Sequence, residues 1–300
     1  MQPPMPSLTP TWHNDIYPAI DYTNKKISHE GETVVITGAG SGLGRETALA
    51  YSKAGAKTLI LVGRNTDNLD ETAAQVAAIS KDVGVKTVTA DVTDESDVKK
   101  ITAAIGDGNT WNVLMHGAGH INAPAPIVQA DVDDYWTAYE VNVKSTILLA
   151  KHLFPTAAKG ASVVTVPAGA VAFPAAMTAG LSGYLVSKLA LIKTIEYLAV
   201  ENPDLNVTAV HPGMVDTAIF RGSGATPESP MVHMDTPQLF AGFCLWVTRP
   251  EAKFLSGKMV WANWDVEELK GKEEEITSKN LLNYVWNGFP FACLDDLTCL

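Results

Sequence analysis

The sequence predicts a single α/β domain, a doubly wound parallel sheet of about seven strands flanked by helices, and three observations predict it. Short runs rich in Val, Ile, Leu and Thr recur between Thr33 and Ala262, with segments of helical period between them. The first of those runs is apolar or Thr without a polar break, as a strand covered on both faces by crossover helices must be. The first, Thr33-Val34-Val35-Ile36-Thr37, enters a turn holding four glycines, Gly38-Ala39-Gly40-Ser41-Gly42-Leu43-Gly44, and helix formers from Arg45 to Tyr51 follow directly.

Strand, tight turn and helix in that order make the Rossmann-type arrangement, in which glycines let backbone N–H groups approach a diphosphate at the positive end of the helix. Glycine is also the default residue of any tight turn, so the information lies in the position of this one between strand and helix. The spacing Gly38-x-x-x-Gly42-x-Gly44 differs from the commoner G-x-G-x-x-G. It resembles the nucleotide loop of the short-chain dehydrogenase/reductase family, and the resemblance puts Gly38, Ser41, Gly42, Leu43 and Gly44 at a dinucleotide.

Composition narrows the partners. A hydrophobic content of 46% over 300 residues suits one large buried core. The net charge of −11, from 33 acidic against 22 basic residues, argues against nucleic acid or an anionic membrane surface. No apolar stretch reaches the roughly 18 residues of a spanning helix. Met1 to Pro10 carries four prolines and no basic cluster, unlike a signal peptide. A soluble, cytoplasmic protein is expected. Cys244, Cys293 and Cys299 show no CxxC or His-ligand spacing, so reduced thiols and no metal site are expected.

Residues 1–30 are rich in Pro, Asn, Asp and His without periodicity and read as an extended arm, part of which packs down through Trp12, Ile16, Tyr17 and Ile20. Residues 31–265 are expected to form the dinucleotide-binding catalytic domain. After the glycine turn and its helix, Lys57 to Val62 is a second strand ending in Gly63-Arg64-Asn65. An acidic residue in this region binds a ribose 2′-hydroxyl, and a basic one accommodates a 2′-phosphate. Arg64 therefore favours NADP(H) over NAD(H), against the plainer possibility of a solvated surface Arg.

Leu69, Ala73, Val76 and Ile79 mark the next helix, and Val85 to Ala90 the next strand, ending in Asp91-Val92-Thr93. Asp91 and Val92 resemble the family's contact to the adenine ring; Asp91 as cap of a helix starting near Asp94 is an equal alternative. The strand Trp111 to Met115 ends in His116-Gly117-Ala118-Gly119, similar to the family's Asn-Asn-Ala-Gly with both asparagines replaced. Ala118 and Gly119 keep the small residues beside the ribose, and His116 is expected to be a structural substitute.

Asp131 to Phe154 reads as one long helix with Trp136, Tyr139, Val143 and Ile147 on a stripe. Asn142 is unfavourable inside a helix, and the resemblance supplies a reason: the family's helix Asn kinks the helix and holds a water near the active-site Lys. Ala161 to Val166 is a further strand. The helix from Ser182 to Val200 carries Tyr184 and Lys188, four residues apart and so on one face. A nearby ammonium favours the phenolate, which makes Tyr184 a proton exchanger. YxxxK alone is common, but here it follows five strand signals and precedes His211-Pro212-Gly213-Met214-Val215-Asp216-Thr217, similar to the family's Pro-Gly segment. That match assigns Pro212, Gly213, Val215 and Thr217 to the cofactor, with Tyr184 and Lys188; Tyr184, Lys188 and Asn142 form the catalytic set. The resemblance covers about residues 31 to 265, and the arm and the Gly257 to Asp265 segment look similar to fungal members of the family.

One departure stands out. The family's usual Ser after the fifth strand falls at Val166-Pro167-Ala168-Gly169, where neither Pro167 nor Ala168 can donate a hydrogen bond. Losing one such donor costs on the order of 10²–10³ in rate. Ser182 or Thr178 reaching in, a donor on the substrate itself, or a non-redox isomerisation, dehydration or cyclisation using Tyr184 are the three ways to reconcile this. The helix from Tyr184 is apolar nearly all round, which predicts a homodimer or homotetramer through it and the Asp131 to Phe154 helix. Residues 218–236 read as a substrate lid, with Phe220, Met231 and Met234 pointing to a hydrophobic small molecule. The tail, residues 266–300, carries a charged run and then Leu281, Leu282, Tyr284, Val285 and Trp286, and is expected to dock on the body or a neighbour.

Overall fold

Seven runs read from the sequence become the seven strands of one sheet, most of them carrying several β-branched residues suited to a pleated surface covered by helices. A computed structural model describes residues 1–106, 108–228 and 233–285; Met231 of the expected lid, Trp286 of the tail, Cys293 and Cys299 lie outside them. The strands are β1 (Thr33–Thr37), β2 (Thr58–Gly63), β3 (Gly84–Thr89), β4 (Trp111–His116), β5 (Ala157–Thr165), β6 (Asn206–His211) and β7 (Met259–Trp261). They lie in the order β3-β2-β1-β4-β5-β6-β7 with every pair parallel. The order reverses between β1 and β4, and the crevice at the carboxyl ends there is where such sheets bind ligands.

Helices α1 (Gly42–Lys53), α2 (Thr66–Ile79) and α3 (Glu95–Ile105) follow the first three strands. Asn65 caps α2 and Asp94 caps α3, each accepting first-turn N–H groups. Asp94, and not Asp91, is therefore the cap; Asp91 instead accepts from the Thr93 N–H and hydroxyl. The expected single helix from Asp131 to Phe154 is divided. Its parts are α4 (Val132–Tyr139), a π turn over Glu140–Lys144 and α5 (Ser145–Leu153). Asn142 sits in that π turn, where one extra residue re-aims the chain.

The remaining helices are α6 (Ser182–Glu201), α7 (Ala218–Gly222), α8 (Pro237–Val247), α9 (Val266–Lys270) and α10 (Glu273–Ser278). One core lies between the sheet and α1 and α8; the other lies between the sheet and α3, α5 and α6. The arm belongs to the first core, with Ile20 and Ile27 fully buried there. Gly242 of α8 has no side chain because a Cβ would stand 2.6 Å from the Ile20 carbonyl oxygen. His29 and Arg249 both bond Glu32, which ties the arm's end to the chain after α8. Of the tail, Leu269 and Ile276 are buried in the same core, and Leu282 packs against it.

Candidate active site

The turn after β1 is shaped by what cannot fit in it. Gly38 and Gly42 have φ of +69° and +50°, in the left-handed region that favours glycine. A Cβ on Gly44 would overlap the Gly38 carbonyl, and one on Gly38 would stand 2.9 Å from the backbone of Gly117 and Ala118. The turn therefore lies directly on the end of β4. Ser41 precedes α1 without bonding its first turn through its side chain. The N–H groups at that positive helix end face an open cleft, as a bound diphosphate requires. The cradle fits a dinucleotide.

That cleft has a volume of about 840 Å³ and runs along the carboxyl ends of the strands. Gly38, Ser41, Gly42, Leu43 and Gly44 form its centre. Arg64, Asp91 and Val92 line one end, together with Asn65 and Asn68, which sequence reasoning did not single out. Arg64 is exposed and has no ion pair or hydrogen bond among the described residues, whereas Arg45 is occupied by Glu71 and the Gly40 carbonyl. Ala118, Gly119, Pro212, Gly213, Val215 and Thr217 border the middle and far parts. A Cβ on Gly42 would stand 3.6 Å from Thr217 Cγ2, so the Pro-Gly segment closes over the glycine turn.

Tyr184 and Lys188 line the far part, and the Lys188 Nζ stands 5.8 Å from the centre of the Tyr184 ring. Lys188 donates to the Val166 carbonyl at 2.7 Å. Burial pushes its pKa down to about 7 and pushes the Tyr184 phenol above its ordinary value. The expected lowering of the phenol by the ammonium is thus not a property of the protein alone. Desolvation of the phenol outweighs a cation that is distant and itself poorly solvated.

Asn142 does not line the cleft. Its Nδ2 donates to the His120 carbonyl and Ser187 Oγ, and its Oδ1 accepts from the His120 N–H. A Cβ on Gly119 would stand 3.5 Å from both Asn142 Oδ1 and Lys188 Nζ, so Gly119 lies beside both side chains.

Ala168 lines the cleft where the donor hydroxyl was sought, and neither Thr178 nor Ser182 lines it. Beneath Ala168, a Cβ on Gly169 would stand 2.7 Å from the Trp261 ring. The Gly169 N–H donates to His211 Nδ1, and burial lowers that imidazole to about 4, so it is neutral.

Sequence reasoning missed the far wall. Pro4, Met5 and Trp12 of the arm, with Asp235 and Asn263, face the cleft. Asp235 accepts from the Met214 N–H, Asn14 Nδ2 and Asn263 Nδ2. Trp12, an aromatic residue in a proline-rich arm, is the signal that was present. Among the described residues, no helix is long and apolar enough to cross a membrane, and no group of three or more His, Cys, Asp or Glu could hold a metal.

His116 is buried, and its two nitrogens stand 2.7 Å from Thr37 Oγ1 and 2.8 Å from Ser145 Oγ. Thr37 Oγ1 accepts from the Ala118 N–H and Ser145 Oγ donates to the Val141 carbonyl. Those bonds direct the Thr37 hydroxyl to Nδ1 and leave Nε2–H to donate to Ser145. The neutral ring satisfies every partner. Burial, helped by the Lys188 charge, lowers its pKa to about 3. Because the unfolded chain takes up this proton near 6.5 and the folded chain only near 3, the contribution is complete above 6.5 and is lost as pH falls. Urea unfolding of His116→Asn should accordingly show a shallower stability loss below pH 6.5, by up to about 1.4 kcal/mol per pH unit. Parallel pH curves for variant and wild type would count against this.

A family model described as short chain dehydrogenase matches residues 32–228. Among curated relatives, the chain is similar to the short chain dehydrogenase mpl6 of Monascus purpureus, 34% identical over 284 residues, which cover 90% of this chain and 94% of that protein. It is also similar to the short chain dehydrogenase andI of Emericella variicolor, 32% identical, with 90% of this chain and 93% of that protein covered. Among solved structures, L-sorbose reductase from Gluconobacter frateurii, complexed with NADPH and L-sorbose, shares the fold with a TM-score of 0.69 at 23% identity, over 78% of this chain and 96% of that one.

Proposed function

The chain belongs to the short-chain dehydrogenase/reductase family, and on that premise we propose that it is an NADP(H)-dependent reductase or dehydrogenase. It moves a hydride between nicotinamide and a carbonyl or alcohol of a hydrophobic small molecule, in specialised metabolism. The observation that carries this reading is the continuity of one cleft from Arg64, unpaired among the described residues, across the glycine turn, to Tyr184 and Lys188. Nicotinamide, when bound, supplies or accepts the hydride. Arg64 pairs with a 2′-phosphate, and the first-turn N–H groups of α1 hold the diphosphate. Asp91, Val92, Ala118 and Gly119 border the adenosine, and Pro212, Gly213, Val215 and Thr217 the nicotinamide end. Lys188 holds the ribose hydroxyls, Tyr184 exchanges the proton at the carbonyl oxygen, and Asn142 is the positioning residue that orders the proton relay beside Lys188. NADPH oxidation over a panel of ketones and enones checks this. Tyr184→Phe should lower kcat by about 10²–10⁴, and Arg64→Leu should raise KM for NADPH about 10–100-fold while leaving NADH unchanged. A wild type that oxidises NADPH with no member of the panel, or that prefers NADH, contradicts it.

Ala168 favours a second reading, a non-redox isomerase, dehydratase or cyclase with Tyr184 as general acid and base. The two part on Ala168→Ser. In a reductase that merely lacks its donor, the new hydroxyl should raise turnover by as much as about 10²-fold. In a non-redox enzyme, substrate is converted with no NADPH consumed by either form.

Apolar side chains on three helices support a homodimer or homotetramer. Trp136 and Ile147 on α4 and α5 are 60% and 52% exposed, and Tyr197 on α6 is 61% exposed. Isolated large apolar residues are ordinary, but a run along neighbouring helices suits a self-complementary contact. Light scattering at micromolar protein should give a dimer or tetramer, and Trp136→Glu with Tyr197→Glu a smaller species. A monomeric wild type overturns the assignment.

A further inference from the structure

We infer that Asp235 is a positioning residue: it ties the backbone of Gly213 and Met214, at the nicotinamide end of the cleft, to the arm, so that the arm sets how firmly a dinucleotide is held. The inference rests on the reading of residues 212–217 as the segment that borders the nicotinamide. Asp235 and its partners Asn14 and Asn263 all lie outside residues 32–228, which the family model matches.

On its cleft side the carboxylate stands where a side chain of the neighbouring segment would otherwise be. The Met214 N–H donates to Asp235 Oδ2 at 2.7 Å, and the Asp235 N–H donates back to the Met214 carbonyl at 2.8 Å. Gly213 has φ of +84°, and a Cβ on it would stand 2.2 Å from Asp235 Oδ2. The residue after Pro212 thus gives up its own side-chain space to the carboxylate. Met214 and Asp235 line the cleft, and further along the same segment Thr217 lies against Gly42 of the glycine turn.

On its other side the carboxylate holds the arm. Asp235 Oδ1 accepts from Asn14 Nδ2 at 2.7 Å and from Asn263 Nδ2 at 2.9 Å. Asn263 Nδ2 also donates to the His13 carbonyl, and the His13 N–H returns a bond to the Asn263 carbonyl. The Thr236 N–H and hydroxyl donate to the Asn14 carbonyl and the Asp15 carboxylate. Residues 13–15 are therefore fastened to Asp235, Thr236 and Asn263. The amide oxygens of Asn14 and Asn263 are buried without a hydrogen-bond partner, and turning either amide over would set that oxygen against the carboxylate. Asp235 itself is only 8% exposed. Buried acceptors left unbonded around a buried carboxylate cost stability, and what the cluster secures is the backbone of Gly213 and Met214. Asn14 does not line the cleft, so its influence on a ligand there runs through Asp235.

The test follows two quantities in the full chain: the hydrogen–deuterium exchange rate of the Met214 amide without ligand, and the affinity for NADP⁺ by calorimetry. Asp235→Ala should speed exchange at Met214 and weaken NADP⁺, each about 10–100-fold, the scale of a bond to a charged acceptor. Asp235→Asn keeps an oxygen for Met214 and offers an N–H to an arm amide, and should retain most of both. Asn14→Ala should change both quantities about three- to tenfold with the amides of β2 unaffected, and should add nothing in the Asp235→Ala background. Circular dichroism checks folding. If Asp235→Ala does not fold, faster Met214 exchange in Asn14→Ala beside near-wild-type exchange in Asp235→Asn upholds the tie, and the absence of that contrast overturns it. Met214 loosened by Asn14→Ala in a chain that binds no NADP⁺ upholds the tie and sinks the cofactor reading. In a chain that binds NADP⁺, a folded Asn14→Ala with wild-type affinity, or one whose effect persists in the Asp235→Ala background, overturns the inference and leaves the reductase reading standing.

Discussion

Two strand ends meet here with no side chain between them, and the rest of the cleft depends on that contact. The backbone after β1 lies against the backbone after β4, with Gly38 against Gly117 and Ala118 at a distance no Cβ allows. The Gly117 and Ala118 N–H groups donate to the Thr37 carbonyl and hydroxyl. This closure brings the start of α1 to the switch point of the sheet, so a diphosphate there meets main-chain donors and the helix dipole together. A side chain at Gly38 or Gly44 would push turn and strand apart, and the cofactor floor would go with them.

Much of the fold was legible because it is written in local chemistry. Runs of β-branched residues, the glycine spacing and capping residues such as Asp94 each act within a few positions, so periodicity and residue type reveal them. The residues from Gly38 to Thr217 that sequence reasoning assigned to the cofactor line one cleft: Tyr184 and Lys188 reach it from α6, and the others lie at the carboxyl ends of strands or in the turns and first helical turns that follow them. Asn142 is the instructive exception. Its mid-helix position signalled a special role, yet the π turn and the bonds to His120 and Ser187 that consume its amide are long-range facts.

What stayed hidden depends on distant pairings or on burial. Nothing near Trp12 in the sequence says that it will face Trp261, nor that Asn14 and Asn263 will converge on Asp235. The phenol of Tyr184 illustrates the second kind. Spacing places an ammonium on the same helix face, but only the depth of the site shows that desolvation dominates both groups in the protein alone. His116 was legible as a replacement and not as a link, because its partners Thr37 and Ser145 come from opposite sides of β4 in sequence.

The cleft thus has two halves, a floor of glycines and strand ends whose shape suits a dinucleotide and a far wall that includes the arm, Trp261 and Ala168. The central claim is that the first half delivers a hydride to whatever the second half selects. Mass spectrometry of the alcohol formed from a ketone with NADPH deuterated at the transferring position tests it most directly. One deuterium on the carbinol carbon is the predicted result; product carrying no deuterium, formed without oxidation of the nucleotide, would contradict the account.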